Sequence, residues 1–379
     1  MEVRFYLPKG LSQFRCYQAL FFIRWKSGVI FVRHRRRILS CIHRITESVF
    51  RVASAPRFRD HADSSHAGMD SSLRNTARVQ LIRIKIMKEN SAECVLEAKA
   101  VLGEGPSWDV KRQRLLWVDI ESSRVCLFDP ISRENKTFPT GSHVGSAVLS
   151  AKGDVIAATQ KGFTRLDLDT GALAPICDPE ADFPGNRFND GKCDPKGRFW
   201  AGSMGYDESK TTGSLYRLNE QLQAEKMLDG ISISNGLAWS ADQRTLYYID
   251  TPTMRVDAFD FDPETSAISN RRKAIQIPEG IGYPDGMSID AEGMLWICLW
   301  DGWAVTRWNP KTGEQLEKIS LPVGRATSCC FGGKDLNELY ITSASTRLND
   351  DELAKQPLAG ALFRVKPGVS GPPPFLFAG

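Results

Sequence analysis

TLYYIDTPTMRVDAFDFDPET, residues 245–265, contains a short apolar run, a turn, a second run and then a D-P-x-T hairpin signal. The same grammar recurs from about Ser91 to the C-terminus. LLWVDI (115–120) leads to RVCLFDP, DVIAAT (154–159) to TRLDLDTG, and RFWAGS (198–203) to SLYRLN. MLWICL (294–299) leads to AVTRWNPKTG, and ELYITS (338–343) to ALFRVKPG. Equivalent positions are Trp117, Ile156, Trp200, Tyr248, Trp296 and Tyr340, separated by 39, 44, 48, 48 and 44 residues. Paired strands at a period in the forties predict propeller blades, because a lone four-stranded sheet leaves both faces wet until it packs against its neighbours. Helical periodicity is nearly absent, and no G-H…W-D pairing marks the blades as WD40 repeats. The expectation is an all-β, six-bladed β-propeller domain over residues 91–379.

The chain has 379 residues, 42% hydrophobic and 25% charged, an ordinary globular composition with a net charge of +4. That charge is unevenly spread. Residues 1–88 carry 18 Lys and Arg against 5 Asp and Glu, a local charge of +13 that leaves −9 for the rest. The acidic body has no basic patch interleaved with aromatics, so no nucleic-acid partner is expected. Within 1–88, VRHRRRILSCIHRI has the character of a transit peptide or membrane-surface helix, and DHADSSHAGMDSS that of a polar linker. The apolar pieces ALFFI and GVIFV are short and broken by Arg24, Lys26 and Arg33, so no membrane span is expected. The favoured reading of 1–88 is a disordered extension or an over-long gene model, with Met69 and Met87 as alternative starts. Nine cysteines without a C-x-x-C pair, several inside apolar runs such as LWICLW, fit buried thiols in a reducing compartment. A cytoplasmic monomer is the resulting expectation.

Four polar motifs sit at or just ahead of blade strands: GEGPSW (103–108), RFNDGK (187–192), ISNGLAW (233–239) and YPDGMSID (283–290). Each sets an oxygen-bearing side chain beside a glycine: Glu104, Asn189 or Asp190, Asn235, and Asp285. Glycine there is read as permitting a sharp turn and close approach of a ligand. Any one of these motifs is equally an ordinary hairpin turn; their recurrence at one blade phase favours convergence at one end of the propeller axis. The D-P and D-x-x-T-G hairpins fall at another phase and belong at the opposite end. Two carboxylates and an amide form an all-oxygen set for a hard divalent cation such as Ca²⁺, Mg²⁺ or Mn²⁺. His143 is the body's single histidine. A His- or Cys-built zinc site, a Ser-His-Asp triad and a Cys-His pair are therefore excluded by supply. His143 itself reads as a surface or internally satisfied residue, and Asp190 and Lys192 as a supporting ion pair.

Through GEGPSW, RFNDGK, ISNGLAWS, YYIDTPTMRVDAFDFD, PDGMSIDAEGMLW and TSCCFGGKDLNELYIT, the chain from about Ala92 resembles the senescence marker protein, gluconolactonase and regucalcin family of six-bladed propellers. The resemblance implies one divalent cation (Ca²⁺, Zn²⁺, Mn²⁺ or Mg²⁺) held by Glu104, Asn235 and Asp285. It implies Arg187 and Asn189 as substrate contacts and Asp285 as general acid/base in opening a sugar lactone. A further sugar-contacting Glu in the family lies on the loop that here reads MGYDESKTTG, where Glu208 is the nearest match. Rival expectations are a calcium-binding regulatory propeller, a phosphotriesterase-type hydrolase and a plain interaction scaffold.

Overall fold

The computed structural model describes residues 22–25, 28–31, 92–208 and 210–379. The chain divides into two units, Met1–Ile86 and Met87–Gly379. In the first, Phe22–Trp25 pairs antiparallel with Gly28–Phe31. Apart from those strands, the disordered extension expected over 1–88 lies outside the described residues.

The second unit is an all-β, six-bladed propeller of four-stranded antiparallel sheets. The first strands of blades one to six are Gly103–Asp109, Val144–Leu149, Asn186–Cys193, Ser234–Trp239, Tyr283–Ile289 and Ala326–Gly332. Each touches the next, and the sixth touches the first, so the inner strands form a closed ring. The six equivalent positions found in the sequence all lie on second strands and are fully buried, from Trp117 and Ile156 to Tyr340. Aromatic and branched side chains suit a pleated surface packed on both faces, which is why these strands read as unbroken apolar runs. Blades one to five each use four consecutive strands; blade six takes its outer strand, Glu93–Leu96, from the other end of the unit. One short α-helix, Asp350–Lys355, follows the second strand of blade six and is closed by an Asn349–Glu352 capping box.

All six first strands slip register against their second strands, at Glu104/Ser107, Val144/Ser146, Phe188/Gly191, Asn235/Leu237, Pro284/Met287 and Ala326/Cys329. A bulge bends the strand and re-aims a side chain. Glu104, Asn189, Asn235 and Asp285 each stand at such a bulge, while Arg187 lies just ahead of one and Glu208 on a loop after a second strand. The accompanying glycines have a different role from the one read in the sequence. Gly105 alone among them turns through a positive φ, of 53°. At Gly286 a Cβ would meet Ser328 Oγ at 2.2 Å, and at Gly145 the Phe188 carbonyl carbon at 2.4 Å. These glycines admit the neighbouring inner strand, not a ligand.

The C-terminal segment crosses the end of the axis opposite the polar motifs. Its backbone bonds Leu336 and Ala291 at one side, through Gly371 and Ser370, and Leu149 and Gly197 at the other, through Phe377 and Ala378. The hairpins beginning at Asp262 and Asn309 share that end, where Arg198 donates to the Pro263 and Glu264 carbonyls. The seven cysteines from Cys94 onward are free thiols. Among the described residues, no helix is long and apolar enough to cross a membrane.

Candidate active site

Two cavities occupy the axis. The larger, about 320 Å³, lies at the end crossed by the C-terminal segment, with Pro372–Phe375, Ser107 and Lys192 in its wall. The other, about 270 Å³, is lined by Glu104, Arg187, Asn189, Asn235 and Asp285, with Glu121, Glu208, Tyr283, Trp300 and Arg347 nearer the mouth. Size alone would select the first; the convergence of charged and amide side chains selects the second.

Glu104, Arg187, Asn189, Asn235 and Asp285 are each 4–8% exposed and come from blades one, three, four and five. A chain of hydrogen bonds ties three of these blades together. Arg187 Nη1 donates to Asn189 Oδ1 at 2.7 Å, and Asn189 Nδ2 donates to the Ser234 carbonyl at 2.8 Å and to Asn235 Oδ1 at 3.2 Å. Asn235 Nδ2 donates to Thr251 Oγ1, which donates to the Pro284 carbonyl, each at 2.8 Å. Because the Thr251 proton is committed to a carbonyl, its oxygen is an acceptor, and this fixes which end of the Asn235 amide meets it. The Asn235 oxygen is left toward Asn189 and the cavity.

Charge in this site is out of balance. Burial, and then the carboxylates of Asp285 and Asp190, hold the Glu104 carboxyl well above the ordinary range. Burial and Asp190 do the same to Asp285, with Arg187 and the Asn235 amide drawing it part of the way back. Burial lowers the Arg187 guanidinium, and nearby Tyr206 and carboxylates oppose the shift. Among the described residues, no Lys or Arg forms an ion pair with Glu104, Asp190 or Asp285. Buried carboxylates are costly unless a cation or proton answers them. Two buried acids, Glu104 and Asp285, share the cavity with one guanidinium, and Asp190 in the wall of the other cavity adds to their repulsion; the set fits a hard divalent cation with oxygen donors. Among the described residues, no cage of three His, Cys, Asp or Glu side chains forms; the candidate set is two carboxylates and an amide.

Asp190 does not pair with Lys192 as the sequence led us to expect. Lys192 Nζ reaches across the axis to the Met287 carbonyl at 2.7 Å, while Asp190 Oδ1 takes the Gly191 N–H and its buried Oδ2 has no partner. The bulge at Phe188/Gly191 breaks the alternation that would have set the two side by side. His143 is satisfied, its Nδ1 lying 2.9 Å from the Tyr206 hydroxyl. Glu208 stands at the mouth with both oxygens bonded to Arg347, an ion pair that holds its carboxyl below the usual range. Thr251, Glu121 and Arg347 were missed in the sequence. They sit on or just beyond turns between second and third strands, where no glycine motif marks them.

A closed six-bladed ring with an oxygen-rich, buried cavity at one axial mouth defines a propeller with an axial ligand site. The chain belongs to the SMP-30/gluconolactonase/LRE-like family, whose profile matches residues 102–345. Regucalcin of Gallus gallus is 41% identical over 299 residues, covering 77% of this chain and 100% of the relative. Among solved structures, a luciferin-regenerating enzyme is 32% identical with a TM-score of 0.72, covering 76% of this chain and 99% of that one. A calcium-binding protein, regucalcin, from Agrobacterium tumefaciens is 28% identical with a TM-score of 0.73, covering 76% and 97%.

Proposed function

We propose that this chain is a divalent-cation-dependent hydrolase of sugar lactones of the gluconolactone type. Membership of a family named for gluconolactonase supports the reaction class. The observation that carries the reading is the group of buried acids facing one guanidinium inside a small cavity. Glu104, Asn235 and Asp285 would hold the cation, which when bound supplies Lewis-acid polarisation of a carbonyl. The ligand field is all oxygen, so Ca²⁺, Mg²⁺, Mn²⁺ and Zn²⁺ are the ions to test.

The side chains divide the remaining work. Asp285 takes a proton from the attacking water as the new C–O bond forms at the lactone carbonyl carbon. It returns that proton to the ring oxygen as the ring C–O bond breaks, leaving an open-chain hydroxy acid. Arg187 donates hydrogen bonds to the substrate's oxygens and holds the ring in place over the cation site. Asn189 has its amide group engaged on both sides and works by aiming Arg187 and Asn235. Glu208 borders the substrate's far end. The seven free thiols suit a reducing compartment such as the cytoplasm.

Hydrolysis of a panel of aldonolactones, assayed with each of the four cations and with a chelator, tests the reading. Turnover that needs an added cation supports it, and no turnover of any lactone overturns it. The description of the Agrobacterium relative as a calcium-binding protein favours a second reading, a propeller that binds Ca²⁺ without chemistry. Calorimetric Ca²⁺ binding without turnover would select that alternative.

A further inference from the structure

Arg347 sits on a loop whose backbone is fastened by several hydrogen bonds. Its φ is 58°, in the left-handed region that residues with a Cβ seldom adopt. The two preceding residues fasten the loop. The Ser345 and Thr346 N–H groups both donate to the Val101 carbonyl, at 3.0 and 2.8 Å, and Ser345 Oγ donates to the Ala100 carbonyl at 2.9 Å. Thr346 Oγ1 donates to the Glu121 carboxylate at 3.0 Å, and the Thr346 carbonyl accepts from Arg325, which lies 4.8 Å over the Trp300 ring.

What the loop holds in place is a guanidinium over the cavity. Arg347 follows the second strand of blade six and Glu208 the second strand of blade three, and in a ring of six these blades face each other across the axis. The pair therefore spans the mouth, and both residues line the cavity below. Their side chains are 59% and 33% exposed, and ion pairs that open to water contribute little to stability. The worth of the pair therefore lies in where it stands, across the mouth of the cavity, and not in stability. Under the bridge the cavity measures about 270 Å³, below the range of about 300–1,000 Å³ found for drug-sized ligands.

We propose that Arg347 is a specificity-determining residue: paired with Glu208 across the mouth, it limits the substrate to lactones of a single sugar ring. A second ring would extend through the plane of the bridge and must break it. The inference rests on the lactonase reading for the nature of the substrate. It does not rest on that reading for the existence of the size filter.

Two measurements separate these claims. In the first, kcat/KM is compared for a monosaccharide aldonolactone and a disaccharide aldonolactone. Wild type, Arg347→Ala and the charge-swapped double variant Glu208→Arg with Arg347→Glu are assayed. The two-ring to one-ring ratio should rise about tenfold in Arg347→Ala, on the scale of lost steric discrimination, and fall back in the double variant. A ratio unchanged within about twofold overturns the proposal. The second measurement needs no turnover. Ile233 lines the same cavity, and Ile233→Cys is labelled with a small methanethiosulfonate and with a bulky maleimide dye, read by mass spectrometry of that peptide. Adding Arg347→Ala should speed the bulky reagent far more than the small one. Equal effects on both reagents overturn the filter. If wild type opens neither lactone with any of the four cations, the lactonase reading fails and the thiol measurement alone decides the filter.

Discussion

An amide offers a cation only one of its two ends, so Asn235 serves as a ligand only if something chooses its orientation. Thr251 makes that choice, with its proton on the Pro284 carbonyl and its oxygen taking the Asn235 N–H. Thr251→Val should leave the fold intact and weaken Ca²⁺ binding by about 10–100-fold, the usual cost of losing an outer partner of a ligand; titration calorimetry measures it. Asp285→Ala should abolish lactone hydrolysis, whereas Arg187→Ala should act mainly by raising KM; steady-state kinetics on one aldonolactone distinguishes them. Full activity in Asp285→Ala would remove that residue from the mechanism. The raised carboxyls of Glu104 and Asp285 also predict a pH effect without cation. A carboxyl whose folded pKa lies above its unfolded value stabilises the fold below the ordinary carboxylate range. That stability is lost as pH rises through the folded value. Thermal melts in chelator should therefore show Tm falling from about pH 4 toward neutrality, and added Ca²⁺ should reverse the fall.

The inner strand brings these side chains to one place. Its sequence signature was legible because each motif couples a polar residue to a glycine, as Asn235 to Gly236 and Asp285 to Gly286. The reason for the glycine was not legible, since the neighbour that requires it is a residue such as Ser328, more than forty positions away. A bulge at the same point of all six first strands is also invisible in a pattern read one strand at a time. Gly286→Ala tests the packing role. Its Cβ would lie 2.5 Å from Ser328 Cβ and 2.8 Å from Ser328 Cα, so two inner strands must separate. Overpacking of this sort costs about 1–3 kcal/mol, or roughly 2–5 °C in Tm for a domain of this size. Gly185→Ala is the control, because its added Cβ meets nothing within 4 Å. Equal melting temperatures for the two variants would show that the inner ring has slack.

Closing the ring is a property of the whole molecule. Six repeats at a steady period were readable from Trp117 to Tyr340, because each blade buries one large side chain at the same point. Their closure was not, since the last blade borrows Glu93–Leu96 from the start of the unit. Glu93 and its partner Arg364 are 271 residues apart, with Arg364 Nε donating to the Glu93 carboxylate at 2.8 Å. Cys94 packs against the core between blades five and six, and Val95 and Leu96 against the one between blades six and one. Without that strand, Leu362–Val365 becomes an exposed edge, free to pair with another chain. A chain beginning at Lys99 should therefore melt below one beginning at Met87. Three half-buried apolar side chains and their ladder contribute about 3–5 kcal/mol, roughly 5–8 °C. The shorter chain should also aggregate on heating at concentrations where the longer one refolds. If both melted within about 2 °C of each other, the ring would be held by its inner strands alone, and the outer strand of blade six would have to be explained by something other than closure.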